Sequence, residues 1–183
     1  MRVTGGEARG RVIKAPPGLA VRPTASKVRQ AFFNILQDRI DGADFLDVFA
    51  GSGLMGIEAL SRGARSLVAV DENRQNARAI EAALKELHYE GRVISCDFRK
   101  ALSEFRDRSF DVIFADPPYK SSLATTVVEL CGRQELLRDN GLLIVEHARS
   151  YEMPVETNGL IRRNFKAYGQ TGLSFFARSG GAI

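Results

Sequence analysis

Between residues 44 and 146 short apolar runs alternate with longer stretches whose apolar positions recur at helical spacing. The runs are Phe45-Leu46-Asp47-Val48-Phe49, Leu67-Val68-Ala69-Val70, Arg92-Val93-Ile94-Ser95, Phe110-Asp111-Val112-Ile113-Phe114-Ala115 and Gly141-Leu142-Leu143-Ile144-Val145-Glu146. Their lengths suit strands buried on both faces. The stretches between them predict helices. One follows a glycine turn, carries Met55, Ile57, Ala59 and Leu60, and ends at Gly63. A second runs from about Asn73 to Leu87 with Ala77, Ile80, Leu84 and Leu87 on one face. A short one covers 99–105, and another runs from about Ser122 to Arg133. Strands alternating with helices predict right-handed crossovers and a mainly parallel α/β sheet with helices on both faces.

The two ends depart from this pattern. Residues 160–168 and 173–178 alternate apolar and polar positions around Gly169 and Gly172, which predicts an antiparallel hairpin at the sheet edge and brings the sheet to seven strands. Residues 2–14 read as another hairpin, with a turn at Gly5-Gly6 and a short strand at Arg11-Val12-Ile13. Pro16, Pro17 and Gly18 interrupt the chain. Thr24 is placed to cap a helix reaching about Ile40, with Val28, Ala31, Phe32, Ile35 and Leu36 on its apolar face and Lys27, Arg29 and Gln30 on the other. Residues 1–183 therefore read as a single domain, with 1–23 a basic hairpin extension.

Composition adds little until charge is located along the chain. The sequence is 44% hydrophobic and 26% charged, ordinary for a globular protein, with net charge +4 and pI about 9.3. Residues 1–30 hold Arg2, Arg9, Arg11, Lys14, Arg22, Lys27 and Arg29 against the single acid Glu7, a net +6 that leaves −2 for the remainder. Such a basic end suits an arm that meets nucleic-acid phosphates. Cys96 and Cys131 are too far apart in sequence for a metal or disulfide motif, and a reducing cytoplasm fits. His88 and His147 lack partners at metal spacing, so no metal is expected. No signal segment and no membrane-spanning run is visible.

Two motifs carry the chemistry. Gly51-Ser52-Gly53-Leu54-Met55-Gly56 follows the first strand and opens a helix, and Asp71 ends the next strand 20 residues after Gly51. Glycines there let backbone approach a nucleotide-like ligand, and the acid suits ribose hydroxyls. A nicotinamide dinucleotide enzyme would use the same parts. Asp47 lies within the first strand, where an unpaired carboxylate would be costly. Asp97 and Phe98 end the third strand, and suit an adenine amino group and ring; a helix N-cap is the plainer role for Asp97. Carboxylates at three strand ends fit a cationic ligand with an amine, a ribose and an adenine, which S-adenosylmethionine is.

The second motif, Asp116-Pro117-Pro118-Tyr119, leaves the fourth strand where open sheets place ligands. The prolines remove backbone donors and fix φ, so carbonyls are left to accept from a substrate amine. An exocyclic base nitrogen is a weak nucleophile because its lone pair is delocalised into the ring. Accepting its protons on the Asp116 carboxylate and a backbone carbonyl localises that pair and orients it. Tyr119 would stack on a base flipped out of its helix.

Together these residues resemble the class I methyltransferases that act on amino groups. The fuller pattern is similar to the RsmD family of bacterial 16S ribosomal RNA guanine-N2 methyltransferases. It includes Arg2-Val3-Thr4-Gly5-Gly6, Arg9-Gly10-Arg11, Arg22-Pro23-Thr24, Val28-Arg29, Gly56-Ile57-Glu58-Ala59-Leu60-Ser61-Arg62-Gly63-Ala64 and Tyr168-Gly169-Gln170-Thr171. The resemblance implies a Rossmann-like class I methyltransferase fold and transfer of methyl from S-adenosylmethionine to guanine 966 of the small ribosomal subunit or its assembly intermediate. It implies cofactor contacts from Asp47, Gly51, Gly53, Asp71, Asp97 and Phe98, a catalytic segment Asp116–Tyr119, and RNA contacts from the basic arm. A monomer is expected. The motif alone leaves guanine N2 and adenine N6, in DNA or RNA, both open.

Overall fold

A computed structural model describes residues 1–14, 23–105, 108–118 and 122–180. Pro16, Pro17, Gly18, Arg22 and Tyr119 lie outside the described residues, as do the side chains of Thr24 and Lys27. The elements in chain order are α1 (Pro23–Ile35), α2 (Gln37–Ile40), β1 (Asp44–Val48), α3 (Leu54–Ser61), β2 (Ser66–Val70), α4 (Arg74–Glu86), β3 (Arg92–Ile94), α5 (Phe98–Glu104), β4 (Phe110–Ala115), α6 (Leu123–Arg133), β5 (Leu137–Ala148), β6 (Glu156–Thr157), β7 (Leu160–Tyr168) and β8 (Thr171–Arg178).

They form an eight-stranded sheet in the order β3-β2-β1-β4-β5-β8-β7-β6. Neighbouring pairs from β3 through β5 are parallel, and those from β5 outward through β8, β7 and β6 are antiparallel. The strand β6 adds to the predicted seven; two residues are too short to show any periodicity. Chain direction across the sheet reverses between β1 and β4, which places the topological switch point there.

Side-chain alternation divides the apolar residues between two layers. Phe45, Val112, Phe114, Ile144 and Phe175 pack against α1, α3 and α4, while Leu46, Val48, Ile113, Val145 and Phe176 pack against α5 and α6. Phe32 of α1 is the hinge of the first layer. Its ring meets Phe33, Phe45 and Phe114 edge-on at 5.0, 6.3 and 5.1 Å. Each such ring removed from water contributes roughly 1.5–3 kcal/mol.

The predicted helix over 24–40 differs in two ways. It starts at Pro23, whose missing N–H costs nothing at that position, so Thr24 is inside the first turn rather than a cap. It also breaks at Leu36 into α1 and α2. Leu36 and Ile40 are both buried, so the apolar stripe runs on through the break.

The N-terminal segment pairs as predicted, with an antiparallel bridge between Arg2 and Val12. Val3 N–H donates to the Arg11 carbonyl at 3.0 Å and Ile13 N–H to that of Met1 at 2.7 Å. The turn is a wider loop than Gly5-Gly6 alone, and it is moulded onto the end of α3. Ser61 Oγ donates to the Gly5 carbonyl at 2.8 Å and accepts from Ala8 N–H at 2.9 Å. Gly6 has φ +76°, and a Cβ there would stand 1.7 Å from the Ser61 carbonyl oxygen.

A buried anion locks this junction. Glu58 of α3 is fully buried and accepts from Arg29 Nε at 2.8 Å, Arg62 Nη2 at 2.8 Å and Thr4 N–H at 3.2 Å. Arg29 also donates to the Arg2 carbonyl at 3.0 Å and is 8% exposed. The solvent-facing position expected for Arg29 is therefore wrong: it is turned inward, because the desolvated carboxylate of Glu58 needs a cation. At the amino ends of the strands, Asp44 accepts from Arg65 Nε at 3.0 Å, Ser66 Oγ at 2.6 Å and Arg138 Nη2 at 2.6 Å. The hydrogen-bonded Arg65 guanidinium leads in holding the Asp44 carboxyl well below the usual range.

Candidate active site

The switch point brings the two sequence motifs together. β1 and β4 pair so that Val48 lies opposite Ala115, and the chain leaves both strands side by side. Asp116 N–H reaches the Val48 carbonyl at 3.4 Å. The glycine turn and Asp-Pro-Pro therefore lie side by side at the carboxyl edge of the sheet, where open α/β sheets have their ligand crevice, although more than sixty residues separate them in the chain. Asp116 and Pro118 are exposed, and Pro117 is buried.

The glycine turn is made by backbone that few residues adopt. Gly51 and Gly53 have φ of +55° and +73°. Phe49, just before the turn, also has positive φ, +65°. A bulky residue held there costs on the order of 1–3 kcal/mol, and such strain clusters at functional sites. Gly53 and Gly56 are also required for packing. A Cβ on Gly53 would stand 2.7 Å from Ile80 of α4, and one on Gly56 would stand 2.5 Å from Leu67 of β2. The glycines thus let α3 sit close to its neighbours as well as opening the backbone to a ligand.

Asp71 ties the turn to the next strand. Its Oδ2 accepts from Gly51 N–H at 2.7 Å, and its Oδ1 from Asn73 N–H at 2.9 Å and Asn76 Nδ2 at 3.1 Å. A carboxylate has about four acceptor positions, so capacity for one further donor is left. Asn73, where the helix is expected to begin, instead caps α4 through Gln75 N–H at 2.8 Å, and nothing in the sequence points to Asn76.

Asp47 does not reach the crevice. It is 1% exposed, and its Oδ2 accepts from Gly56 N–H at 3.1 Å. It braces the first turn of α3 from below. Burial pushes its carboxyl up to about 7, and the nearby Asp71 charge adds to the rise. A raised carboxyl binds its proton more tightly in the folded chain than in the unfolded one. Its contribution to stability is therefore greatest below pH about 4 and declines as pH rises through 7. Asp47→Asn keeps an acceptor for Gly56 and removes the titration. Urea midpoints at pH 4.5 and 7.5 should show the variant gaining on the parent by on the order of a few kcal/mol as pH rises. A pH-independent difference would mean that Asp47 is hydrated in solution.

Asp97 caps α5, accepting from Arg99 N–H at 2.8 Å, and its other oxygen pairs with Arg99 Nη1 at 2.9 Å. Phe98 begins α5 and is 5% exposed, with the Arg99 guanidinium 4.6 Å above its ring. Phe49, expected only as the last residue of the first strand run, meets Phe98 at 4.8 Å between centroids and is half-buried. Phe49 and Asp97, rather than Phe98, are presented towards solvent at this edge.

The remaining titratable candidates stay apart from the crevice. Cys131 is buried in α6, and desolvation pushes its thiol up to about 12, so it is no nucleophile. His147 is buried and bonded to Ser174 Oγ at 2.8 Å and the Ala148 carbonyl at 2.9 Å. Among the described residues no helix is long and apolar enough to cross a membrane, and no group of three His, Cys, Asp or Glu side chains could hold a metal.

The family model described as "Conserved hypothetical protein 95" matches residues 1–177. The chain is 31% identical over 180 residues to the ribosomal RNA small subunit methyltransferase D of Escherichia coli K12, covering 97% of this chain and 90% of that one. It is 36% identical over 184 residues to YlbH of Bacillus subtilis, covering 98% and 100%. It belongs to the RsmD family of methyltransferases. Solved structures agree with that membership. The yhhF protein of E. coli superposes with a TM-score of 0.85 at 29% identity over 98% of each chain. HI0767 of Haemophilus influenzae gives 0.82 at 26% identity over 97% of each. The fold is accordingly the Rossmann-like one expected, and the arm and C-terminal hairpin fall within the family match.

Proposed function

We propose that this RsmD-family protein methylates the exocyclic N2 of a guanine in 16S rRNA of the small ribosomal subunit, the family target being guanine 966. The observation that supports this best is the placement of Asp116-Pro117-Pro118 beside the glycine turn at the switch point. The methyl donor would be S-adenosylmethionine, which supplies an electrophilic carbon on a cationic sulfur.

The residues present suit that donor better than a dinucleotide. Pyrophosphate sites use free N–H groups at a helix N-terminus. Here Gly56 N–H is taken by Asp47, Gly53 N–H by the Ala50 carbonyl at 2.7 Å, and Leu54 N–H by Ser52 Oγ at 3.4 Å. Asp71 retains an acceptor position for a ribose hydroxyl, and Gly51 and Gly53 keep side chains out of the way. Asp97 and Phe49 line the far side. Asp47 acts through Gly56, as a positioning residue. On the substrate side, the exposed Asp116 carboxylate and a carbonyl of the proline segment accept the two amino protons of the base. Asp116 would take the proton that the nitrogen sheds on gaining the methyl group, as the methyl–sulfur bond breaks and the donor leaves as a neutral thioether.

The basic arm suits phosphate contacts, since Arg2, Arg9, Arg11 and Lys14 are exposed. Replacing Arg9 and Arg11 with Ala should weaken binding to 16S rRNA and lower the slope of log K against log salt by about 2, because each phosphate a side chain neutralises adds close to one to that slope. An unchanged slope would place the RNA elsewhere. The reading as a whole is tested by tritiated methyl transfer to small subunits that lack the modification, followed by nucleoside analysis. Label in N2-methylguanosine is expected. Label in N6-methyladenosine would move the target to adenine, and no label in RNA would overturn the substrate.

A further inference from the structure

Three large apolar side chains are exposed among the described residues: Val12, Val155 and Phe165. Of these, Phe165 is built into an aromatic assembly. It is 43% exposed, and its ring stacks on the His147 imidazole at 5.9 Å with 29° between planes. Tyr151 meets His147 edge-on at 6.1 Å, and its hydroxyl shares a 2.8 Å hydrogen bond with Thr125 of α6. Gly172 of β8 makes the stack possible, since a Cβ there would stand 2.7 Å from the Phe165 ring and 3.0 Å from His147. Both ring nitrogens of His147 are engaged, so the support under Phe165 is fixed in orientation.

This assembly lies on the catalytic edge. β4 and β5 pair with Ala115 opposite Val145, so continuing that register sets His147 level with Pro117 one strand away. At about 4.8 Å per strand, the Phe165 ring lies roughly 10–15 Å from the Asp-Pro-Pro segment, a reach of a few nucleotides. The hairpin that carries Phe165 is charged with one sign, against Glu146 and the exposed Glu152 on the neighbouring segment. Residues 160–178 contain Arg162, Arg163, Lys166 and Arg178 and no Asp or Glu. Arg163 is exposed, as is Arg149, whose N–H bonds the Gln170 carbonyl at the β7–β8 turn at 2.8 Å, whereas Lys166, opposite Leu173, stands on the other face of the sheet. A rigid, half-exposed aromatic face among basic side chains is the arrangement that holds single-stranded nucleic acid, by stacking under a base and attraction to the backbone.

We infer that Phe165, supported by His147 and Gly172, is a stacking platform for an unpaired RNA base flanking the methylation target. Its phosphates lie along Arg149 and Arg163. The inference rests on the proposed RNA substrate. It gives the protein a second RNA-binding surface, separate from the N-terminal arm and on the other side of the crevice.

The test uses the full chain and unmodified small subunits. Phe165→Ala and Phe165→Leu should both raise KM for the subunit by roughly 5- to 100-fold, while Phe165→Tyr stays near the parent. Binding of S-adenosylmethionine and the melting temperature should not change in any of the three. A residue that merely covers Gly172 would be satisfied by Leu, so recovery in Phe165→Leu overturns the inference. The sequence contains no Trp, so Phe165→Trp provides a single fluorescent reporter. A short single-stranded RNA should quench it, and should leave a Val155→Trp reporter unquenched. Loss of activity on subunits without quenching by RNA would assign the surface to a ribosomal protein and overturn the base platform. If the parent protein transfers no methyl to RNA, the substrate reading fails first. If the parent is active and Phe165→Ala matches it, the platform alone fails.

Discussion

Asp116→Ala should lower the rate of methyl transfer by roughly 10²- to 10⁴-fold, the range associated with removing a positioned acid–base group. Binding of S-adenosylmethionine should stay within a few-fold of the parent. The separation follows from the architecture. Asp116 is exposed beyond the end of β4, whereas the groups proposed to hold the cofactor follow β1 and β2 and begin α5. The Asp116 backbone is tied to Val48 through its N–H, so changing the side chain leaves that link in place. Calorimetric titration with the cofactor and single-turnover methyl transfer measure the two effects separately. Asp116→Asn keeps an acceptor oxygen but cannot take the released proton, and should fall between parent and Ala. Activity near the parent in Asp116→Ala would remove Asp116 from the mechanism.

Glu58→Ala should destabilise the protein by roughly 3–5 kcal/mol, the usual cost of removing one partner of a buried ion pair. Glu58 is fully buried, and the Arg29 guanidinium beside it would be left in the interior with the neutral Arg2 carbonyl in place of a carboxylate. The arm should loosen before the domain does, because Thr4 loses its acceptor at the same time. Urea denaturation reads the global effect. Limited trypsin digestion reads the local one, as faster cleavage after Arg9 and Arg11. A loss below about 1 kcal/mol, the size expected of an exposed pair, would show that apolar packing of Val3, Ala8 and Ile13 holds the arm without the ion network.

The strands and the helices between them were legible because burial on one or two faces dictates the period of apolar residues. Asp71 was found by its distance from Gly51, and Asp116-Pro117-Pro118 by its place after an apolar strand. Period failed where burial continued without regular structure: Leu36 and Ile40 keep the apolar stripe through the break between α1 and α2. Pattern was also silent on β6, which is too short to have one. Charge counting failed at Arg29, because a tally of bases carries no direction, and the partner that turns this one inward lies 29 residues away on α3. The same limit hid the inner role of Asp47. A carboxylate in an apolar strand must find a donor, but only the packing of α3 against β1 shows that the donor is Gly56 and not a ligand. The left-handed turn at Phe49, its contact with Phe98 and the Phe165–His147 stack were not legible, since strained backbone and pairings between distant segments leave no local trace.

The sheet ends, on its two flanks, in β3 and β6, strands of three and two residues. A long bare flank is a template on which another chain can add a strand, and proteins suppress it by shortening or charging it. β3 opens with the exposed Arg92, and β6 with the exposed Glu156. β6 pairs only with Leu160 and Ile161 of the nine-residue β7, and the rest of that outer edge is guarded by the bulge between Arg162 and Asn164 and by the exposed charge of Lys166. The bases beside Phe165 and along the arm can stay uncovered in a crowded cell, at little risk that the sheet behind them recruits its own copies into fibres.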